Sequence, residues 1–245
     1  MNEYVDDLAP ALIEWMRRRR QVVDWVYHPR KTDVSDYVRR KVLGDLLSSC
    51  TMFHEQARRG EIACDLNVSL SKAQGRTRKL DLVVGAALNG ALPEAIDEDV
   101  LRKAKVGTPR LALETKLCMT EHRKATSRLI DELLSSLDVV RGVSPDALCV
   151  AVVVVNVAAR FTSPLNLPGP NLHERPVEIH RLVEKVLTRV GVGDSGYDAL
   201  AIALVDVDNE HRFEVGVGIE IPQQHLYPNA IQAVARRWTS PPLTN

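Results

Sequence analysis

The chain has 245 residues, with 32 basic and 32 acidic side chains, so its formal net charge is zero. That balance excludes a histone-like polybasic binder, although local basic patches remain compatible with nucleic acid. Hydrophobic residues make up 45% of the sequence, enough for the core of one large α/β domain.

Residues 7–27 are expected to form an amphipathic helix, with Pro10 near the first turn and an apolar seam of Leu12, Trp15, Met16, Val22, Val23 and Val26. Arg17 to Arg20 interrupt that seam, and four consecutive residues cover most of a helix circumference. Arg19 falls on the seam itself, where it either pairs with an acid or reaches a phosphate. Pro29 breaks the chain, and Thr32-Asp33 can cap a second helix of about 34–58, built on Val38, Val42, Leu46 and Phe53.

Glu61 to Leu70 alternates as a strand, and the polar stretch Ser71 to Lys79 reads as a hairpin turn carrying Arg76 and Arg78. Both arginines are candidates for phosphate contact or plain surface charge. The next strand, Lys79 to Val84, places Leu80, Leu82 and Val84 on one face and Asp81 on the other. Residues 86–110, with Gly90, Pro93 and an acidic run, suggest a short helix within loops. Leu111 to Leu117 is a strand whose Glu114 and Lys116 share one face. Two such charges on a buried-looking strand are costly unless paired or bound to a metal.

A helix of about 121–140 follows, with Thr120 as its cap and His122 in its first turn. His122 is a candidate to contact phosphate or to organise water, or else a packed structural histidine. Ala147 to Val155 is nearly continuous β-branched sequence, the mark of a central strand buried on both faces and reached by a parallel crossover. Residues 160–176 form a proline-rich loop. A helix over 177–190, a strand over 197–207, a turn at 208–210, an edge strand over 212–218 and a helix over 228–237 complete the order. Cys50, Cys64, Cys118 and Cys149 lie in apolar runs without metal-ligand spacing and are expected to be buried free thiols. The longest apolar run is too short to span a bilayer, and the expected setting is soluble and cytoplasmic.

Placed side by side, the two strands bring Asp81, Glu114 and Lys116 together: two hard oxygen ligands and a cation, as a magnesium-dependent phosphodiesterase needs. Asp81 followed by Glu114-x-Lys116 resembles the signature of the PD-(D/E)xK nuclease superfamily, the fold of many type II restriction endonucleases. The resemblance runs over roughly residues 34–207, through the order of elements as well as the motif. Leu80 stands where the pattern has proline, and the long gap between Asp81 and Glu114 implies an insertion.

The resemblance implies a restriction-endonuclease-like α/β core with a central mixed β-sheet flanked by helices. It implies a single nuclease domain: a helical part over 1–60, a catalytic core over 61–207, and a hairpin and helix over 208–245. Asp81, Glu114 and the backbone carbonyl of Thr115 would hold Mg2+, and Lys116 would orient water or stabilise the transition state. Glu55 or Asp45 would fill the place of an additional acid on the helix before the sheet. The implied activity is site-specific cleavage of double-stranded DNA by a homodimer. A repair, nicking or RNA-directed nuclease, or an idle nuclease fold that only binds DNA, remains open.

Overall fold

The computed structural model describes residues 5–72, 75–88, 94–95, 100–165, 171–172, 176–193 and 195–240. Helices α1 (Leu8–Val23), α2 (Asp33–Ser49) and α3 (Thr51–Arg58) precede strands β1 (Ala63–Ser71), β2 (Thr77–Ala87), β3 (Glu94–Ala95), β4 (Arg102–Lys103) and β5 (Val106–Cys118). Then come α4 (His122–Val143), β6 (Leu148–Asn156), the short strands β7 (Arg160–Phe161) and β8 (Asn171–Leu172), and α5 (Pro176–Arg189). Strands β9 (Ala199–Val207) and β10 (Phe213–Val215) and helix α6 (Tyr227–Thr239) end the order.

The sheet is mixed, in the order β10-β9-β6-β5-β2-β1-β4-β3. β5, β6 and β9 run parallel, whereas β2 is antiparallel to both β1 and β5. The α/β class with a helix-flanked mixed sheet is therefore as the sequence predicts. β6 lies at the centre and is buried from Cys149 to Asn156, which its run of valines requires. Helices α4 and α5 cover one face, packing Leu129, Ile130, Leu133, Leu182 and Val186 against the sheet. Helices α1, α2, α3 and α6 cover the other, with Leu12, Val38, Leu46, Phe53 and Ile231 in its core. All four cysteines are buried free thiols. No helix among the described residues is long and apolar enough to cross a membrane.

Several expectations need correction. Helix α1 stops at Val23, so Val22 and Val23, placed on the apolar seam by spacing, are 80% and 60% exposed. The second helix is two, parted at Cys50, whose backbone is extended. The hydroxyls of Ser48 and Ser49 both turn back on the Asp45 carbonyl, a competition that weakens a helix end. No side chain caps α4, where Glu121 rather than Thr120 holds the N-cap position.

The 86–110 segment is strand or connecting chain wherever it is described, not helix. β2 continues to Ala87 and β5 begins at Val106, so the two strands pair well before Glu114. Gly85 permits this: a Cβ there would lie 2.1 Å from the Thr108 carbonyl oxygen. Register shifts beside Gly85 and Ala86 place Pro109 at an irregularity, where a strand tolerates proline. Gly90, Pro93 and most of the acidic run lie outside the described residues. In the 160–176 loop, β7 and β8 pair antiparallel, and the expected edge strand is reduced to Phe213–Val215.

Leu80, Leu82 and Val84 do not share one face. Leu82 and Val84 pack with the α1/α2 side, while Leu80 packs with the α4 side. Across the ladder, Leu66 and Val68 divide in the same way. Between them Asn67 has φ +56°, and it falls opposite Asp81 because Leu66 pairs with Leu82 and Val68 with Leu80. A left-handed residue within a strand turns the ribbon over, and strict alternation fails there.

Candidate active site

The ladder between β2 and β5 ends, on the Glu114 side, at Leu82 and Leu113. Beyond it, β2 stays with β1 alone as far as Thr77. Asp81 occupies the fork. Its Oδ2 accepts a hydrogen bond from the Thr115 N–H at 2.7 Å, so the carboxylate stands where a strand carbonyl would. In an extended strand the N–H and C=O of one residue leave on the same side, so the Thr115 carbonyl also faces the fork.

Glu114 and Lys116 share one face, as period two requires, and the Lys116 Nζ lies 2.7 Å from Glu114 Oε1. The ammonium is held a second time, at 2.9 Å, by Glu132 Oε2 of α4. From the opposite face of the sheet, Arg39 of α2 donates to the Asp81 backbone carbonyl at 3.0 Å. The same guanidinium approaches Asp81 Oδ1 at 3.9 Å and pairs with Asp36. The fork thus collects two cations and four carboxylates from four elements, β2, β5, α2 and α4, on both sides of the sheet.

Burial pushes the Glu114 carboxyl up to about 7. The Lys116 ammonium opposes that shift, whereas the Asp81 and Glu132 charges add to it. Burial alone would lower the Lys116 pKa, but Glu114 and Glu132 more than offset it, and the net direction is up. The two directions are consistent because the lysine faces two acids, whereas the acid faces one cation and two further acids. Glu114 Oε2 is buried and has no hydrogen-bond partner.

Among the described residues, no group of three or more His, Cys, Asp or Glu side chains is placed to hold a metal. Two carboxylates and a carbonyl still suit one hard cation that keeps most of its waters, as magnesium does. Such an ion would give the unpartnered Glu114 oxygen a partner and would take the place of the proton that burial favours there. The donor set fits a magnesium site of low ligand count.

The structure separates the remaining candidates from this fork. Glu55 is half-buried on α3 and paired with Arg58. Its neighbour Gln56 accepts from Trp238 of α6 and from Arg110, which stands four residues before Glu114 on β5, so Glu55 belongs to the other end of the sheet. Asp45 is held by Lys41 and by the Tyr227 hydroxyl. His122 is wholly buried, which removes it as a surface contact to phosphate. Arg19 is exposed and lies over the Trp15 ring at 5.4 Å, rather than buried in a seam. Arg78 donates to the Ser135 Oγ at 2.7 Å, and Arg76 lies 3.5 Å from Asp138.

Sequence reasoning missed Arg39 and Glu132. Arg39 carried a signal, since it stands four and seven residues from the buried Leu43 and Leu46 on one stripe of α2. Glu132 had none. A separate cleft of about 590 Å³ opens at the far end of β5, lined by Thr108, Arg110, Asp146, Asp198 and Arg237. Its acid Asp198 is already engaged by Arg141 and Arg237 and by the Cys149 N–H. No family model matches the chain, and no curated protein matches it.

Proposed function

We propose that the protein is a magnesium-dependent endonuclease of the PD-(D/E)xK type, acting on double-stranded DNA. The observation that carries this reading is the fork itself, where Asp81 and Thr115 meet beside the Glu114–Lys116 pair. Asp81, Glu114 and the Thr115 carbonyl would hold the ion. Bound there, magnesium acidifies a coordinated water and neutralises charge on the phosphate. Lys116 stays protonated between its two acids, so it serves as a fixed positive charge and not as a base. That charge favours the added negative charge of the pentacovalent phosphorus and orients the attacking water. Asp81 keeps its position through the Thr115 N–H, so it needs little rearrangement to act.

The competing reading is an idle nuclease fold that binds DNA without cutting it. The double pairing of Lys116 favours it, because one of those contacts must loosen before the ammonium can meet a phosphate. Incubating plasmid and phage DNA with the protein, in magnesium and in EDTA, separates the two readings. Cleavage that needs magnesium and is absent in Lys116→Ala is the expected result. Discrete bands would mark a site-specific, restriction-type enzyme, and a smear a repair or non-specific one. Activity undiminished in EDTA, or in Lys116→Ala, overturns the proposal. Sedimentation of the DNA-bound protein tests the homodimer that a two-fold cut requires.

A further inference from the structure

We propose that the far half of the β1–β2 hairpin, residues 67–71 and 77–81, is a preformed ribbon that enters the major groove of B-form DNA. This rests on the nuclease reading and adds the surface by which the substrate would be held. Past the Asp81 fork, β1 and β2 pair only with each other, through Val68–Leu80, Ser69–Lys79, Leu70–Arg78 and Ser71–Thr77. Five residues per strand project about 15 Å beyond the β2–β5 ladder.

One face of this ribbon is anchored. Leu80 is buried in the α4-side core, and Val68 and Leu70 pack against it. Arg78 donates to the Ser135 Oγ, and Lys72 pairs with Asp138, both on α4. The other face is free. Asn67, Ser69, Ser71, Thr77 and Lys79 are all exposed there. Ser71 and Thr77 bond each other at 2.7 Å, while the side chains of Asn67, Ser69 and Lys79 have no partner among the described residues.

Such a surface has little use as a protein-docking face, because it offers no apolar side chain. It does offer an amide, a hydroxyl and an ammonium in a row, the groups that read base edges and contact phosphate. The charge is also complementary. The free face carries the Lys79 ammonium and no acidic side chain, whereas Lys72, Arg76 and Arg78 of the same hairpin are engaged by Asp138 and Ser135 of α4. A two-stranded ribbon fits the roughly 12 Å major groove of B-DNA, whereas the deep, narrow major groove of A-form RNA does not admit it. Asp81, next to the ribbon's base, would then lie at the phosphate backbone bordering that groove.

The test is a fluorescence-anisotropy titration of the full chain with a duplex DNA, the matching duplex RNA and a single strand, in EDTA so that nothing is cut. Wild type is compared with Asn67→Gly/Ser69→Ala/Lys79→Ala, which keeps the left-handed backbone, and with Lys79→Ala alone. Lys185→Ala, at an exposed position of α5, is the control. The expected result is at least a tenfold loss of duplex-DNA affinity in the triple variant and none in Lys185→Ala. Lys79→Ala should lower the slope of log affinity against log salt by about 1. If the triple variant fails to fold, the Lys79→Ala slope decides. Unchanged binding, an equal loss in Lys185→Ala, or duplex RNA bound as tightly as DNA overturns the ribbon. Magnesium-dependent cleavage that survives such a result leaves the nuclease reading standing.

Discussion

The Asp81 Oδ2 accepts the Thr115 N–H at 2.7 Å, a side chain completing a backbone ladder at the point where two strands part. One carboxylate therefore has a structural duty on one oxygen and can serve a ligand with the other. The two duties can be separated by substitution. Asp81→Asn keeps an oxygen for the Thr115 N–H and should remain close to wild type in stability. Asp81→Ala strands that N–H and should lose about 1–3 kcal/mol. Both should abolish cleavage. Urea unfolding with a plasmid assay checks this, and equal stability of the two variants would mean that the hydrogen bond contributes nothing.

Arg39 is the buried cation of the site, with a side chain only 4% exposed and bonds to Asp36 and Asp81. Arg39→Met leaves both partners without it. Breaking a fully buried pair costs about 3–5 kcal/mol. Asp36 and Asp81 keep 35% and 24% exposure, so about 2–3 kcal/mol is expected here. Adding Asp36→Asn should recover part of the loss. A single Arg39→Met with wild-type unfolding free energy would show that the cation is not structural.

What could be read in the sequence was periodic and local. The valine run of β6 announced a buried central strand, and period two put Glu114 and Lys116 on one face. The partners across the fold could not be read that way. Arg39 and Glu132 lie 42 and 51 positions from Asp81 in sequence, and only packing of α2 and α4 onto opposite faces brings them to the fork. Alternation in β2 failed because it assumes an untwisted ribbon, and Asn67 turns that ribbon over. The valines at the end of α1 misled for a related reason: helical spacing continues on paper past the residue where the helix stops.

Asn67 gives a prediction about stability that is independent of any ligand. At φ +56° asparagine is tolerated, glycine is free of strain, and a β-branched side chain is strongly disfavoured. Asn67→Gly should therefore be nearly neutral. Asn67→Ala should cost about 1 kcal/mol and Asn67→Val more, by the penalty for left-handed backbone in residues with a Cβ. Thermal unfolding of the three variants checks the order. Valine as stable as glycine would mean that the strand relaxes to ordinary β geometry.

The last prediction concerns pH. The Glu114 carboxyl is raised to about 7 from its ordinary 4.5, chiefly by burial, with Asp81 and Glu132 adding to the shift and Lys116 opposing it. The folded state thus holds this proton more tightly than the unfolded chain does. Its contribution to stability is greatest below pH 4.5, falls as pH rises towards 7, and is constant above that. Metal-free protein should gain about 1–3 kcal/mol from this group between pH 7.5 and pH 5, and its melting temperature should rise accordingly. Glu114→Gln should flatten that slope. Magnesium, competing with the proton for the same carboxylate, should raise the melting temperature more at pH 7.5 than at pH 5.5. A melting temperature that falls on acidification across this window, in wild type and Glu114→Gln alike, would mean that Glu114 is ionised in the folded chain. The fork would then carry its full negative charge throughout this window, and magnesium would raise the melting temperature equally at pH 7.5 and pH 5.5 because no proton competes for the carboxylate.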